Sequence, residues 1–402
     1  MAISLTSVVA NEIYGVRSPL PLVFTSDSIG EFFQTIVIDL KIWTGNKTTA
    51  KPASATYTLS LGTNVLADDL QYYEVEIAEL VREYIDTDEF SYPSSYANNW
   101  AAWVEVDWTA TTDTDEETDT FTILCTNGFR PYEQATLPLS TYFFPAEVRV
   151  PSDHSYFITV LDKAVTGADR PVNKIRIKYD SGAETELDFG TAGVTTSSVF
   201  KTATLTWNPS DTEAEVQLIK SPYPKYVELV EADGGTVEGS EACFLGSLAT
   251  LDDFVVHSFK VKKYCKAKYE NVMVGYVNRI GVVDYQYFFG KLEKSQSASR
   301  ELYKPATDNR YTNATHQYRV LSANGRQSFT TNTDWVAEEV KEKVQDLILS
   351  ECTFEAQGTT GAEDVKAINP TDSEQVMKVD DNELINYTLS FEYAYDYINS
   401  VR

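Results

Sequence analysis

Apolar side chains recur at every second position in many short segments of this chain. Ile36, Ile38, Leu40 and Ile42 alternate with less apolar neighbours, and so do Tyr57, Leu59 and Leu61. The segments Val104–Trp108, Ile175–Tyr179 and Ala214–Leu218 follow the same rule. Near the end, the odd positions Tyr387, Leu389, Phe391, Tyr393, Tyr395 and Tyr397 carry the rings and aliphatic chains. Successive side chains of a strand point to opposite faces. A period of two therefore predicts strands with one buried and one wet face, as in antiparallel sheets. The run Val272–Phe289 predicts a β-hairpin, two aromatic-rich stretches around the polar turn Asn278, Arg279, Ile280 and Gly281.

Helical spacing stands out twice. Within Glu76–Ile85, Ile77, Leu80, Val81 and Tyr84 fall on one face. Farther on, Asp334 is placed to cap a helix over 334–349 with Val336, Val340, Val344, Leu347 and Ile348 aligned. Neither polar face is basic, which argues against a membrane-surface role and for helices lying across a sheet. The acidic segment 109–120 reads as a loop between two strands. Pro131–Pro151, with Pro138 and Pro145, and the small-residue stretch Gly234–Leu251 read as breaks. The fold class predicted is mainly β: antiparallel sandwich-like domains with a few amphipathic helices, so α+β in minor part. Three domains follow, 1–140 with the helix 76–85, 141–250, and 251–402 with the hairpin 272–289 and the helix 334–349. No fixed-period repeat suggests a solenoid or propeller.

Charge narrows the partners. A net charge of −27 opposes the phosphate backbone of nucleic acid and anionic membrane, so bulk binding to either is not expected. The lysines Lys260, Lys262, Lys263, Lys266 and Lys268 form the one local basic set considered for nucleic-acid contact. The 25 Tyr and 19 Phe against 3 Met favour strands and extended contact surfaces, where a ring is apolar and a hydroxyl wet. Cys125, Cys243, Cys265 and Cys352 are scattered without a close pair, as suits a reducing cytosol rather than a disulfide or zinc scaffold. The first residues lack the basic start of a signal peptide, and no apolar run reaches membrane-spanning length. The glycosylation triplets at Asn46, Asn313 and Asn386 accordingly carry no weight.

Candidate chemistry is sparse. His154, His257 and His316 are dispersed, and no zinc-protease, P-loop or nucleophile-elbow motif accompanies them. Ser198 and Lys201 have the spacing of a serine–lysine pair but lack its companion motifs. Asp113, Asp115, Glu116, Glu117 and Asp119 could offer oxygens to calcium. They lack the glycine and distal glutamate of an EF-hand loop, and a solvated hairpin tip is the plainer reading. Paired carboxylates for glycan cleavage are not singled out when 60 acidic residues are present. Trp100, Trp103 and Trp108 form the obvious candidate platform for sugar stacking, although alternation with Val104 and Val106 puts Trp108 in a core. No residue is assigned to catalysis, to a cofactor or to a metal.

Several blocks resemble virion structural proteins of tailed bacteriophages of Bacteroidetes hosts, including crAss-like phages. The resemblance rests on Tyr276–Phe289 with Lys294–Arg300, on Asp334–Val340 running into Leu347–Glu351, and on Leu384–Tyr393. Tyr73–Tyr84 and Thr126–Tyr132 are similar as well. It implies a non-enzymatic structural component of the tail, collar or baseplate, built in multiple copies as a ring. The implied partners are further copies of itself and neighbouring tail or portal-proximal proteins, and the implied location is the virion, made in the host cytoplasm. A carbohydrate- or receptor-binding tail module is the alternative, and a glycan-cleaving enzyme the next.

Overall fold

The computed structural model describes residues 3–26, 33–62, 72–87, 96–112, 115–131, 134, 137–163, 172–189, 195–224, 251–264, 268–306, 312–357, 364–372 and 384–397. They are mainly β, with several antiparallel sheets and two short α-helices. None of the helices is long and apolar enough to cross a membrane, which says nothing of a β-barrel. The chain forms two compact units. One comprises Met1–Val148, Tyr156–Lys263 and Arg279–Val282; the other comprises Arg149–Ser155, Tyr264–Asn278 and Val283–Arg402.

In the first unit, β1 (Ile3–Leu5), β2 (Ile13–Gly15), β3 (Pro21–Ser26), β4 (Phe33–Trp43), β5 (Tyr57–Gly62) and β6 (Tyr72–Glu76) precede α1 (Ala78–Arg82). Then come β7 (Ala101–Thr112) and β8 (Glu116–Thr126). They make a three-stranded sheet, β1-β3-β6, and a five-stranded one, β2-β8-β7-β4-β5. The inward residues of both sheets share one core, a sandwich arrangement: Leu22 and Phe24 meet Ile36, Ile38, Leu40, Val104, Val106 and Trp108. Phe24 and Trp108 meet edge to face, their ring centroids 5.2 Å apart.

The period-two segments are strands as predicted, with every even position from Ile36 to Ile42 buried. Segment 109–120 is mostly strand and not loop: Thr109–Thr112 end β7, and Glu116–Thr120 begin β8. Cross-strand pairing from Thr111↔Glu116 to Ala101↔Thr126 carries the ladder through polar residues that the pattern could not assign. The first predicted helix is real but shorter, with Ile77 and Val81 buried and Leu80 and Tyr84 packed partly against the core.

The rest of this unit holds β9 (Glu147–Pro151), β10 (Tyr156–Leu161), β11 (Lys174–Tyr179), β12 (Glu184–Asp188), β13 (Phe200–Leu205), β14 (Glu213–Pro224) and β15 (Leu251–Tyr264). The last residues of β9 and β15 fall in the other unit. β10 pairs with β13, and the order of the five-stranded sheet is β12-β11-β14-β15-β9. The unit limits differ from the divisions at 140 and 250 read from sequence. Residues on both sides of 140 lie in one unit, and β15 joins it by a ladder running from Glu213↔Lys262 to Pro224↔Leu251.

The second unit is one seven-stranded sheet. Its strands are β16 (Val272–Val277), β17 (Val283–Phe288), β18 (Glu293–Tyr303), β19 (Arg319–Ala337), β20 (Thr353–Gln357), β21 (Asp364–Pro370) and β22 (Leu384–Tyr393). The order across the sheet is β17-β16-β20-β21-β22-β19-β18. The predicted hairpin is therefore β16–β17, and it shares this sheet with the C-terminal strand. Gly281 in its turn has φ +80°, a conformation open to glycine and strained for other residues. Tyr387, Leu389, Phe391 and Tyr393 face one core with Val272, Val274, Phe288 and Phe329. Tyr395 and Tyr397 lie beyond the end of β22 and are exposed, so the alternating pattern outruns the strand.

The helix predicted over 334–349 needs correction. Residues up to Ala337 belong to β19, and the α-helix α2 is Lys341–Leu349, with Val340 at its N-cap and no side-chain cap. Asp334 instead sits in a bulge of β19 with φ +60°, between the pairs Asn332↔Thr388 and Trp335↔Asn386. The Thr333 hydroxyl accepts from Tyr387 N–H (3.0 Å), and Asn332 Oδ1 accepts from Asp334 N–H (3.2 Å). Pairing with β22 outweighs helical propensity here, and a short polar side chain tolerates the left-handed position. Val344 and Leu347 still pack on the core as the helical spacing predicted.

Candidate assembly surface

The edges of the seven-stranded sheet are treated differently by the chain. β17 is buried at all six positions, and β18 is exposed at all eleven. β18 pairs with β19 from Glu293↔Thr330 to Tyr303↔Arg319. At about 3.3 Å per residue that ribbon is roughly 34 Å long. β22 supports β19 only from Ser328 onward, and Tyr397 N–H reaches Gly325 O (2.7 Å). Outward of Gly325, β18 and β19 have no further strand beside them among the described residues.

A two-stranded ribbon with both faces in water is marginal by itself. This one also carries Leu302, Tyr303, Tyr318, Val320 and Leu321 as exposed apolar side chains, Leu321 at 61%. Val320 lies opposite Leu302, so these residues cluster at the outer end. A shallow hollow there is lined by Ala314, Thr315, His316, Arg319 and Val320. The sequence from 293 to 326 is basic where the chain as a whole is not. Lys294, Arg300, Lys304, Arg310, Arg319 and Arg326 stand against Glu293, Glu301 and Asp308, within a chain of net charge −27. Arg326, near the base, contacts Glu392 (3.4 Å) and Asp396 (3.3 Å). Sequence reading missed this surface because β18 has no apolar face to alternate. The local reversal of charge was the signal that could have found it.

The edge β17 is pinned from within its own unit. Lys343 of α2, itself 2% exposed, donates to Asp284 Oδ1 (3.0 Å) and to Tyr285 O (3.2 Å). Tyr276 donates to Asp284 Oδ2 (3.4 Å), and Tyr287 donates to Ser155 O (2.8 Å). A lysine–aspartate–tyrosine group of this kind resembles a reactive cluster. Here each polar atom named is engaged in holding α2 and the loop at 155 to the strand. Tyr393 likewise donates to the buried Glu355 (2.6 Å), and burial first, then that hydrogen bond, pushes its phenol well up.

The residues singled out for chemistry lie in separate surroundings. His154 is hydrogen-bonded to Asp153 (2.9 Å) and meets Tyr287 edge-on. His257 stacks on Tyr142, and burial holds its basicity below the ordinary value. His316 borders the shallow hollow. Ser198 donates to Thr195 O (2.9 Å) in a local turn. Trp100, Trp103 and Trp108 are all buried, so they offer no stacking platform. Lys260 and Lys262 pair with Glu213 (2.7 Å) and Glu147 (2.6 Å), while Lys263 donates to Asn208 O (2.9 Å). These bonds occupy three of the five lysines considered as a basic patch; Lys266 lies outside the described residues.

Asp115, Glu116, Glu117 and Asp119 lie along an exposed hairpin, and Asp113 is outside the described residues. Among the described residues no group of three or more His, Cys, Asp or Glu is placed to hold a metal ion. Cys125 is buried, which pushes its thiol far up, and neither it nor the half-buried Cys352 forms a disulfide. Cys243 and Cys265 lie outside the described residues. Asp180, Asp211 and Asp396 are held below the usual carboxylate range by side-chain hydrogen bonds from Thr212, Ser181 and Asn324. A glycosidic general acid needs the opposite shift. No protein-family model and no curated protein matches the chain.

Proposed function

We propose that this chain is a non-enzymatic structural component of a bacteriophage virion, a multi-copy tail, collar or baseplate ring protein that self-assembles through β and aromatic surfaces. The observation that carries the reading is the ribbon β18–β19, roughly 34 Å of paired backbone, whose part outward of Gly325 has an exposed apolar end and no third strand beside it among the described residues. The outer part of such a ribbon is only marginally stable in water, whereas a neighbouring subunit can bury it. The resemblance of Tyr276–Phe289, Lys294–Arg300 and Leu384–Tyr393 to virion structural proteins supplies the biological setting. Further copies of the chain and adjacent tail or portal-proximal proteins are the partners this implies. Native mass spectrometry of the purified chain, with negative-stain images of the same sample, tests the proposal. A closed oligomer is the expected result, and a monomer at every concentration up to about 100 μM overturns self-assembly, since a ring interface of ordinary size holds well below that.

A further inference from the structure

A second open strand edge lies in the first unit. β8 pairs with β7 along its length, but its other neighbour, β2, covers only Leu124–Thr126. Asn11 N–H reaches Thr122 O (2.9 Å), which leaves the outer edge of Glu116–Phe121 without a strand among the described residues. Glu116, Glu117 and Asp119 are exposed there, and the sequence has no lysine or arginine between Trp108 and Arg130. These two open edges among the described residues differ in charge: on β18 Lys294 and Arg300 offset Glu293 and Glu301 within a basic stretch, whereas the first half of β8 is acidic throughout. Two β8 edges meeting would set carboxylates opposite carboxylates, which disfavours symmetric pairing.

Resting on the assembly reading above, we infer that the outer edge of β18 in one copy adds as a strand to the edge Glu116–Phe121 of β8 in a second copy. Main-chain hydrogen bonds supply the ladder, and Lys294 and Arg300 against Glu116, Glu117 and Asp119 set which edges meet. Because donor and acceptor edges differ, the contact is head-to-tail and generates a ring if the rotation closes. Association weakens as salt screens the opposed charges.

Two variants test this by native mass spectrometry: Lys294→Glu with Arg300→Glu, and Glu116→Lys with Glu117→Lys. All four positions are exposed, so each variant should melt with the wild type. Each alone should associate roughly tenfold or more weakly, because like charges then meet at the edge. An equimolar mixture of the two should regain association, since both of its edge pairings are again opposite in charge. Wild-type oligomers that persist in both variants, or a mixture that stays dissociated, overturn the edge pairing and leave self-assembly standing. A monomeric wild type overturns both.

Discussion

β17 and β18 close the two sides of one sheet and could hardly differ more. β17 reads Val283, Asp284, Tyr285, Gln286, Tyr287, Phe288 and is buried throughout, its charge met by Lys343. β18 is a run of Ser, Gln, Lys, Arg and Glu ending in Leu302 and Tyr303, and it is exposed throughout. An edge strand must be covered or made unattractive to other strands, because its free N–H and C=O groups are a template for pairing. The chain covers β17 itself. On β18 it uses polarity and charge, which protect against indiscriminate pairing while leaving the edge open to a complementary one. What stabilises the unit thus lies on one edge, and what stays open to pairing lies on the other.

Substitutions should break the two edges in opposite ways. Phe391→Asp puts a carboxylate at a fully buried position between Phe329 and Phe288 and should unfold the second unit. A soluble variant with an unchanged melting temperature would remove Phe391 from the core. Lys343→Met leaves Asp284 buried without its cation and should cost about 3–5 kcal/mol, read by denaturant titration. A loss under 1 kcal/mol would mean that α2 does not pin β17.

Glu105 offers an intermediate case. Burial raises its pKa, but the ammonium groups of Lys51 and Lys41 outweigh that and leave it below the ordinary range. Its stabilisation is complete above the unfolded carboxyl value of about 4.3 and is lost as pH falls through the lower folded value. Glu105→Gln should therefore cost on the order of 1 kcal/mol at neutral pH and converge with the wild type in acid. Parallel stability curves at all pH values would contradict the ion-pair assignment. At the exposed edge, Leu302→Ser with Leu321→Ser should change unfolding by less than about 0.5 kcal/mol per site, yet reduce association. Equal loss of both would show that the ribbon has a core after all.

Where one face is buried and the other wet, the fold was legible from residue order. Ile36 to Ile42 and Tyr387 to Tyr393 announced β4 and β22, and glycine at 281 marked the hairpin turn. Legibility failed where that contrast vanishes. β18 has both faces wet, so Ser295, Ser297 and Ser299 look the same as Gln296 and Ala298 to any periodic reading. Asp334 misled for a different reason: the residues that cap helices also tolerate bulges, and only the arrival of β22 beside β19 decides between them. The candidate assembly surface was hidden by the same lack of contrast. The resemblance to virion proteins touched Lys294–Arg300 without indicating that this stretch is a strand with an open side.

The strand order of the seven-stranded sheet has a consequence for the timing of synthesis. β17, β16, β20 and β21 form one contiguous block and β19 with β18 another, and β22 is the strand between them. β22 is also the last of the seven to leave the ribosome. Until residues 384–393 have been made, the ladder that fastens the ribbon to the block cannot exist. A nascent chain thus lacks the main ladder between ribbon and block, and the ribbon reaches its final setting only when translation of the sheet is complete.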